Sequence, residues 1–339
     1  MNDSNNQNIQ PISQARICVQ KFGSEDTKVI SNLREISQSQ QHFNNLQAAF
    51  LIKNLWKPGT EIKIGFLNDG KNTPKTPVGR LGKNPDPLTQ SVYDLDPIEG
   101  VKKIVNQRYA PITNLKFTFV DDPKEADVRI DFDPNGGAWS FLGTDCLNYK
   151  FPQATMNLGW IDAPTIMHEF GHCMGMFHEH QNPRGEGINW DKEAVYKWAS
   201  ETQGWDKQTT DTNILDHYNK NGTNGSVYDP LSIMLYFFPG WLTNDNKGTK
   251  QNSKFSGTDV VWINNMYKKG SPESADQFYP RVYGIPLQES LQASKQAGAS
   301  IEILETFDLC TNTNDYNKII LWCLVIFSII IVVYLTFYI

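Results

Sequence analysis

The sequence predicts an α+β fold in which strands and helices occupy separate parts of the 339-residue chain. Apolar and polar residues alternate in short runs between residues 60 and 158, as is typical of strands. After residue 187 such runs are few, and helical periods take their place. A separate uncharged segment, Ile319–Ile339, adds one predicted transmembrane helix to this fold.

The first part of the chain is expected to form the sheet. Strands are predicted at residues 60–66, 115–119, 127–132, 139–142 and 155–158. Ile62, Ile64 and Phe66 mark the first of them by strict alternation, and a helical period over Ile98–Val105 precedes the second. The Pro-, Gly- and Lys-rich stretch Asp69–Pro87 predicts a long surface loop between the first strand and this helix.

One helix after the strands is expected to carry the chemistry. It begins at Asp162 as N-cap, has Pro164 in its first turn, and ends near Gly175. Later helices are predicted over Asp191–Ala199 and Thr258–Tyr267. The second part of the domain is therefore expected to be helical.

The chain divides into four expected parts. Residues 1–45 are rich in Asn, Gln and Ser and predict a flexible arm, with a short strand at most over Ile17–Val19. Residues 46–270 form the expected folded domain, whose two subdomains meet near residue 175. Residues 271–318 show only a weak helical run near Leu287–Ala293 and predict a stalk that leads to residues 319–339.

Residues 319–339 are expected to cross a membrane as a helix. The segment has no charge, and Trp322 near one end and Tyr334 and Tyr338 near the other are typical interfacial anchors. A buried core helix and a GPI-attachment signal are the alternatives, but the second needs export, and residues 1–10 lack the features of a signal peptide. The arrangement resembles a tail-anchored protein whose body faces the cytosol, on a cellular or a viral membrane.

Charge and cysteine content indicate which binding partners and which cellular compartment are expected. Lys and Arg total 31 against 37 Asp and Glu, which gives a net charge of -6 and a pI near 5.6. Nucleic acid is not an expected partner, because no basic surface is available to bind it. The 5 cysteines are too few and too scattered for a disulfide framework, so a reducing compartment is favoured.

The segment His168–His178 predicts a catalytic zinc site. His168 and His172 are one helical turn apart, so both imidazoles leave the same face and can bind one metal ion. Glu169 lies beside them and can take a proton from a metal-activated water and pass it to the leaving amine. Gly175 tolerates the left-handed conformation that lets the chain return His178 as third ligand.

Other residues near this motif have simpler interpretations. An exposed amphipathic helix is the alternative for a short His-Glu-x-x-His match, and the added Gly175 and His178 argue against it. His180 and His217 lie outside the pattern and are expected at the surface or behind the ligands. Cys173 follows His172 on the wrong side of the helix, so core packing is expected for it.

These residues resemble the metzincin zinc peptidases, whose His-Glu-x-x-His-x-x-Gly-x-x-His motif is followed by a turn that contains methionine. That turn is here Ser232–Tyr236. Its Ser-x-Met-x-Tyr order and Glu179, directly after the third histidine, resemble the astacin-type branch. The runs His178–Pro183 and Asn189–Asp191 resemble the microbial astacin-like members, and the likeness extends over about Asn54–Lys268.

The resemblance implies a metzincin-type fold, with a twisted mixed sheet and the active-site helix above the cleft and a largely irregular, helical C-terminal subdomain below it. It implies that Met234 forms a hydrophobic floor under the histidines. It implies that Tyr236 ligates zinc or swings away to stabilise the transition-state oxyanion. It also implies that the strand Gly136–Phe141 is an edge that pairs with an extended peptide substrate.

The sequence also departs from the family pattern. Leu235 stands where the family usually has a histidine that is not a ligand, so packing rather than catalysis is expected to change. The paired cysteines of secreted animal members have no counterparts. Asp26 or Cys18 in the arm could cap the zinc in a latent form, and the residues leave this question open.

We therefore expect a membrane-tethered zinc endopeptidase with one catalytic zinc ion, acting on protein or peptide substrates. Glu169 would activate water, and zinc and Tyr236 would stabilise the oxyanion. The alternative is a non-catalytic, membrane-anchored protein that keeps zinc for stability or binds a partner chain in its cleft. Glu169, which such a protein does not need as a ligand, argues against it. A secreted, lipid-anchored form would be revealed by glycans on Asn221 or Asn224.

Overall fold

The computed structural model describes residues 18–21, 54–182, 188–217, 228–268 and 270–297. These residues form a mixed sheet of six strands in the order β1-β5-β6-β4-β2-β3. The strands are β1 Cys18–Lys21, β2 Glu61–Phe66, β3 Lys116–Phe119, β4 Val128–Asp131, β5 Ala138–Phe141 and β6 Met156–Leu158. All neighbours run parallel except β5 and β6, which are antiparallel. The expected combination of a mixed sheet with helices is confirmed.

Helices cover the sheet and build the second half of the domain. They are α1 Thr89–Asp94, α2 Pro97–Ile104, α3 Ala163–Cys173, α4 Lys192–Gln203, α5 Lys207–Thr210, α6 Gly257–Met266, α7 Ala275–Tyr283 and α8 Leu287–Gln296. Helix α3 packs against β5 and β6 of the sheet, and α2 packs against α3. Ile62 and Ile64 of β2 are fully buried, because alternate side chains of a strand point to the same face.

Helix α3 lies in the core throughout its length. Asp162 caps it by accepting the backbone N–H of Thr165 at 2.8 Å, and Pro164 occupies the first turn. The chain leaves the helix at Gly175, whose φ of +87° lies in the left-handed region that glycine tolerates best. Because every residue of α3 is buried, the side chains that it presents are held by packing on all sides.

The second half of the domain contributes most of one hydrophobic cluster. Helix α4 begins at the N-cap Asp191 and ends at Gly204 in the left-handed conformation. Its residues Val195 and Trp198 pack in one cluster with Tyr236 and Phe238, which follow in a segment without regular structure. This cluster supports one wall of the site described below.

Residues 271–297 differ from the predicted stalk. Helices α7 and α8 pack against α6, so the folded domain continues at least to Gln296 rather than ending at residue 270. Ser274 and Gln277 form a capping box at the start of α7. Phe278 of α7 and Leu291 of α8 are buried, and this apolar contact holds the two helices on the domain.

The rest of the predicted stalk, residues 298–318, and the predicted membrane span, residues 319–339, lie outside the described residues. Within the part of the chain that the structure describes, no helix has the length and apolar character needed to cross a membrane.

The predicted arm contributes a strand. Residues 18–21 form β1, one residue later than the short strand expected at 17–19, and β1 runs parallel to β5 with Cys18 opposite Ala138. The remainder of residues 1–45 lies outside the described residues. The sheet therefore extends by one strand beyond the edge that the sequence predicts.

Candidate active site

The structure brings the three predicted zinc ligands together. His168 and His172 lie on α3, and the turn at Gly175 returns the chain so that His178 faces them. One ligand atom from each of the three lies within 4.8 Å of the others, and all three side chains are buried. The imidazole rings of His172 and His178 are 4.5 Å apart between centroids, and those of His168 and His172 are 4.8 Å apart.

Two backbone carbonyls determine which ring nitrogen of each helical histidine carries the hydrogen. Nδ1 of His168 donates to the carbonyl oxygen of Ile233 at 2.9 Å, and Nδ1 of His172 donates to that of Met176 at 2.9 Å. A carbonyl oxygen only accepts hydrogen bonds, so the Nε2 atom of each neutral ring keeps its lone pair. Both lone pairs are thus free to bind a metal ion.

The donor set fits zinc. Nε2 of His168 is buried and has no hydrogen-bond partner among the described residues, and a buried polar atom in that position is costly unless a cation binds it. Nε2 of His172 lies 2.9 Å from Nε2 of His178, so two acceptor atoms meet where a cation would relieve their repulsion. Three imidazoles with room for a further ligand are a donor set typical of catalytic zinc.

Burial keeps the three histidines neutral. It lowers the pKa of His168 from 6.5 to about 4 and holds the pKa values of His172 and His178 well below 6.5. The cause is loss of solvation of the charged form, and the neighbouring histidines add to the effect at His172 and His178. Neutral imidazole is the form that binds zinc, so the protein presents its ligands ready to bind at neutral pH.

Glu169 lies within α3, next to His168, and is fully buried. The residue is one position along the helix from the first ligand and three positions before the second. Its side chain therefore leaves α3 beside the face that carries His168 and His172, as the spacing predicts. This placement suits a carboxylate that acts on a water molecule at the metal without being a ligand itself.

The turn Ser232–Tyr236 forms the other side of the site. The hydroxyl of Tyr236 donates to Nε2 of His178 at 2.5 Å, and the two rings are 4.3 Å apart between centroids. Met234 lies directly under α3, because a Cβ atom built on Gly171 would come within 2.5 Å of its sulfur. Met234 therefore lies against α3, and Tyr236 lies against His178. Leu235 is buried, which fits a change in packing at that position.

Glu179 connects the third histidine to this turn. Its backbone N–H donates to the carbonyl oxygen of Met234 at 3.0 Å, and its carboxylate accepts the side-chain amide of Asn182 and the backbone N–H of Asp229. Burial raises the pKa of Glu179 well above its ordinary value, and the nearby Asp229 adds to the increase. These bonds hold the segment that carries His178 against the floor of the site.

His180 and His217 have different environments. His180 is buried rather than at the surface: its Nε2 donates to the carbonyl oxygen of Asn213 at 3.0 Å, and its ring lies 5.1 Å from that of Tyr236. His217 is exposed, and its Nδ1 lies 3.1 Å from the carbonyl oxygen of Asn182. Among the described residues, the only group placed to hold a metal ion is His168, His172 and His178.

Cys173 packs in the core. Burial raises the pKa of its thiol to about 12, so the thiolate that would compete for zinc does not form at neutral pH. Its backbone carbonyl accepts the indole N–H of Trp56 at 2.8 Å, which joins the end of α3 to the start of the domain.

The expected substrate edge is covered. β5 spans Ala138–Phe141, and both of its sides are paired: β6 lies on one side and β1 on the other. The prediction that β5 is an open edge is therefore wrong for this arrangement of the chain, because residues 18–21 take the backbone hydrogen bonds that a peptide would make. Of the two residues considered for latency, Cys18 lies in β1 opposite Ala138, and Asp26 lies outside the described residues.

Comparison with known proteins relates this chain to a family of peptidases. Residues 101–268 match the peptidase family described as Astacin. The solved structure of myroilysin is 30% identical, covers 65% of this chain and 98% of its own, and superposes with a TM-score of 0.52. The chain belongs to the astacin family. Its matched segment is a zinc metalloendopeptidase domain whose cofactor is a catalytic zinc ion.

Two curated zinc metalloproteinases are similar over shorter stretches. The zinc metalloproteinase nas-4 of Caenorhabditis elegans is 28% identical over 210 residues, which are 58% of this chain and 62% of that protein. The zinc metalloproteinase nas-7 of the same animal is 26% identical over 147 residues, which are 39% of this chain and 35% of that protein. This chain thus spans less than two thirds of the length of either curated relative.

The sequence did not predict the groups that orient the zinc-ligating histidines. The carbonyl oxygens of Ile233 and Met176 leave no trace in a sequence, because every residue has one. Asp259 was also missed, although its carboxylate holds the turn before Met234. A signal for it exists, since Ser256 and Asp259 have the spacing of a capping box, but that spacing predicts only the start of a helix.

Proposed function

We propose that this protein is an endopeptidase that hydrolyses peptide bonds within protein chains. The observation that supports it best is that the lone pairs of His168 and His172 and the side chain of His178 converge beside Glu169 and Tyr236. A purely structural zinc site needs four protein ligands, whereas this site offers three imidazoles and a tyrosine hydroxyl that can leave. The chemistry that this arrangement favours is hydrolysis at a metal.

Each group would have a separate role in the hydrolysis. When bound, zinc acts as a Lewis acid that polarises the substrate carbonyl and acidifies water. Glu169 accepts a proton from the attacking water and later gives it to the leaving amine. Tyr236 turns its hydroxyl from His178 towards the developing oxyanion and stabilises it by a hydrogen bond. Burial strengthens both interactions, because the site is shielded from bulk water.

The test is cleavage of an unfolded protein by the full zinc-loaded chain and by Glu169→Gln. We expect the substitution to lower kcat about 10²–10⁴-fold, the usual contribution of a general acid–base group, while the zinc content is unchanged. Glu193→Gln, on the exposed face of α4, is the matched control and should keep full activity. Chelator-resistant cleavage, or equal activity of Glu169→Gln, would refute the proposal.

Because β1 covers the edge of β5, the test also needs an assay of a truncated protein. A chain that binds zinc and yet cleaves nothing could be latent, because β1 occupies the place of an extended substrate. The same assay with residues 1–21 removed separates the two cases. Cleavage after removal supports the peptidase, whereas zinc-loaded protein that is inactive in both forms favours the non-catalytic, partner-binding alternative.

We also propose that residues 319–339 tether the peptidase to a membrane, with the domain facing the cytosol. The support is the sequence alone: 21 uncharged residues with aromatic residues near both ends. In cells, the full chain should stay in the membrane fraction during extraction with alkaline carbonate. The double variant Phe327→Lys, Ile330→Lys should be extracted, because two charges in the segment disfavour its insertion. The matched double variant Phe327→Leu, Ile330→Leu should stay in the membrane fraction. A wild-type chain that washes off would contradict the tether. Glycans on Asn221 or Asn224 would contradict the cytosolic orientation.

A further inference from the structure

Asp259 makes an unusually complete set of bonds to the turn beneath the zinc ligands. It is buried in the first turn of α6. One carboxylate oxygen accepts the hydroxyl of Ser232 at 2.6 Å, and the other accepts the backbone N–H of Ile233 at 2.8 Å and that of Ser256 at 2.9 Å. The hydroxyl of Ser232 in turn accepts the backbone N–H of Met234 at 3.0 Å. Asp259 thus binds the backbone of Ile233 directly and that of Met234 through the hydroxyl of Ser232.

The same turn orients a zinc ligand. Ile233 is held by Asp259 through its N–H and accepts Nδ1–H of His168 through its carbonyl oxygen at 2.9 Å. His168 and Ile233 are 65 positions apart in the chain, so the bond exists only while the turn stays in place. A shift of the turn would release Nδ1 and let the ring rotate or change tautomer.

Helix α6, which carries Asp259, is itself held by helices outside the astacin match. The backbone N–H of Gly257 donates to the hydroxyl oxygen of Ser290 in α8 at 2.9 Å. That hydroxyl lies 2.7 Å from the hydroxyl of Tyr279 in α7. The approach is close, since a Cβ atom on Gly257 would lie 3.1 Å from Ser290 and 3.2 Å from Leu287. Helices α7 and α8 thus hold the first turn of α6, which carries Asp259.

We propose that Asp259 is a positioning residue for the zinc ligand His168, and that α7 and α8 belong to the catalytic unit because they hold Asp259 in place. The inference rests on the proposed zinc peptidase site, and it adds residues 271–297 to the machinery of that site. The support extends from Ser290 through Gly257 and Asp259 to Ile233 and His168. Partners of the second imidazole nitrogen raise metal affinity, and their loss typically weakens it about 10–100-fold.

The test is zinc affinity, measured on the full chain by competition with a chelator. Asp259→Asn keeps the shape of the side chain but replaces one acceptor oxygen by an amide that faces donors. We expect it to weaken zinc binding about 10–100-fold. Asp276→Asn, on the exposed first turn of α7, is the matched control and should bind zinc like the wild type. Ser290→Ala, which removes the bond to Gly257, should weaken binding by a smaller factor.

A second readout separates positioning from simple loss of stability. The ¹⁵N spectrum of the histidine side chains in the zinc-free protein reports the tautomer of each ring, and the His168 signals should change in Asp259→Asn but not in Asp276→Asn. A lower Tm for Asp259→Asn with unchanged zinc affinity and unchanged His168 signals would overturn the positioning role. Equal zinc affinity of Ser290→Ala and wild type would overturn the part assigned to α7 and α8.

Failure of this inference is distinct from failure of the proposed activity. A wild-type chain without peptidase activity whose zinc affinity still falls in Asp259→Asn would refute the activity and support the positioning role. An active wild-type chain whose affinity is insensitive to Asp259→Asn would support the activity and refute the positioning role.

Discussion

Gly171→Ala is expected to destabilise the domain, although alanine is the better helix former. Gly171 lies in α3 between the two helical zinc ligands, and a Cβ atom there would be 2.5 Å from the sulfur of Met234, 3.3 Å from its methyl carbon and 3.4 Å from the sulfur of Met176. Non-bonded heavy atoms prefer about 3.5–4.0 Å, so the side chain of Met234 must move by about 1 Å.

The expected sign follows from two opposing terms. Overpacking a buried site costs about 1–3 kcal/mol, and replacing glycine by alanine inside a helix contributes about 1 kcal/mol of stability. The net expectation is a loss of about 1 kcal/mol in the free energy of unfolding, since Met234 is buried and cannot move into solvent. In a Met234→Ala background the obstructing side chain is absent, and Gly171→Ala should stabilise the protein by about 1 kcal/mol.

Urea unfolding of the wild type, both single variants and the double variant, all with chelator present, measures this change of sign. Gly100→Ala in α2 is the matched control: its Cβ would meet Val92 at 3.4 Å, an ordinary contact, so the helical gain should appear without a penalty. The reasoning would be refuted if Gly171→Ala stabilised the wild type and the Met234→Ala variant equally.

Three further expectations follow from the site. Removing residues 1–21 should lower KM for an extended peptide, because β1 then no longer pairs with β5. Removing only residues 1–17 leaves β1 in place and should not lower KM. Equal KM values for the two truncated proteins would mean that β1 does not obstruct β5. Zinc affinity should change little between about pH 7.5 and pH 6, because the pKa values of the three ligands are lowered and protons compete with zinc only at lower pH. Histidines with ordinary pKa values near 6.5 would lose zinc steeply below pH 7, and such a loss would contradict this expectation. Tyr236→Phe should retain zinc and lower kcat about 10²–10³-fold at similar KM, and unchanged kcat would exclude the hydroxyl from oxyanion stabilisation.

The parts of the site that depend on neighbouring residues could be predicted from the sequence. The spacing of His168 and His172 determines that both leave one face of α3, and Gly175 determines that the chain can turn back to His178. The cap at Asp162 also lies where its side-chain chemistry predicts. These features need only a helix, and the local pattern is strong enough to predict one.

The parts that depend on distant residues could not be predicted. Strand order and direction arise from pairings between segments far apart in the chain, and nothing in residues 18–21 indicates that they pair with β5. Helix α7 was missed because it contains Pro280, which usually ends a helix. Helix α8 was predicted only as a weak helical run near Leu287–Ala293, because it exposes a polar face. Their apolar residues become significant only when α6 lies beside them.

The zinc site shows why a local motif is insufficient for a functional centre. The motif supplies the imidazoles, but the nitrogen that each helical ring offers is determined by a carbonyl oxygen, and for His168 that oxygen belongs to Ile233 in the second half of the domain. Ile233 is in turn held by Asp259, and Asp259 by a helix that packs on α7 and α8. A chain that kept every residue of the motif and lost this support would still contain three histidines, but the first of them would no longer be committed to present Nε2 to the metal. Zinc affinity, more directly than the presence of the motif, therefore measures whether the two halves of the domain are correctly assembled.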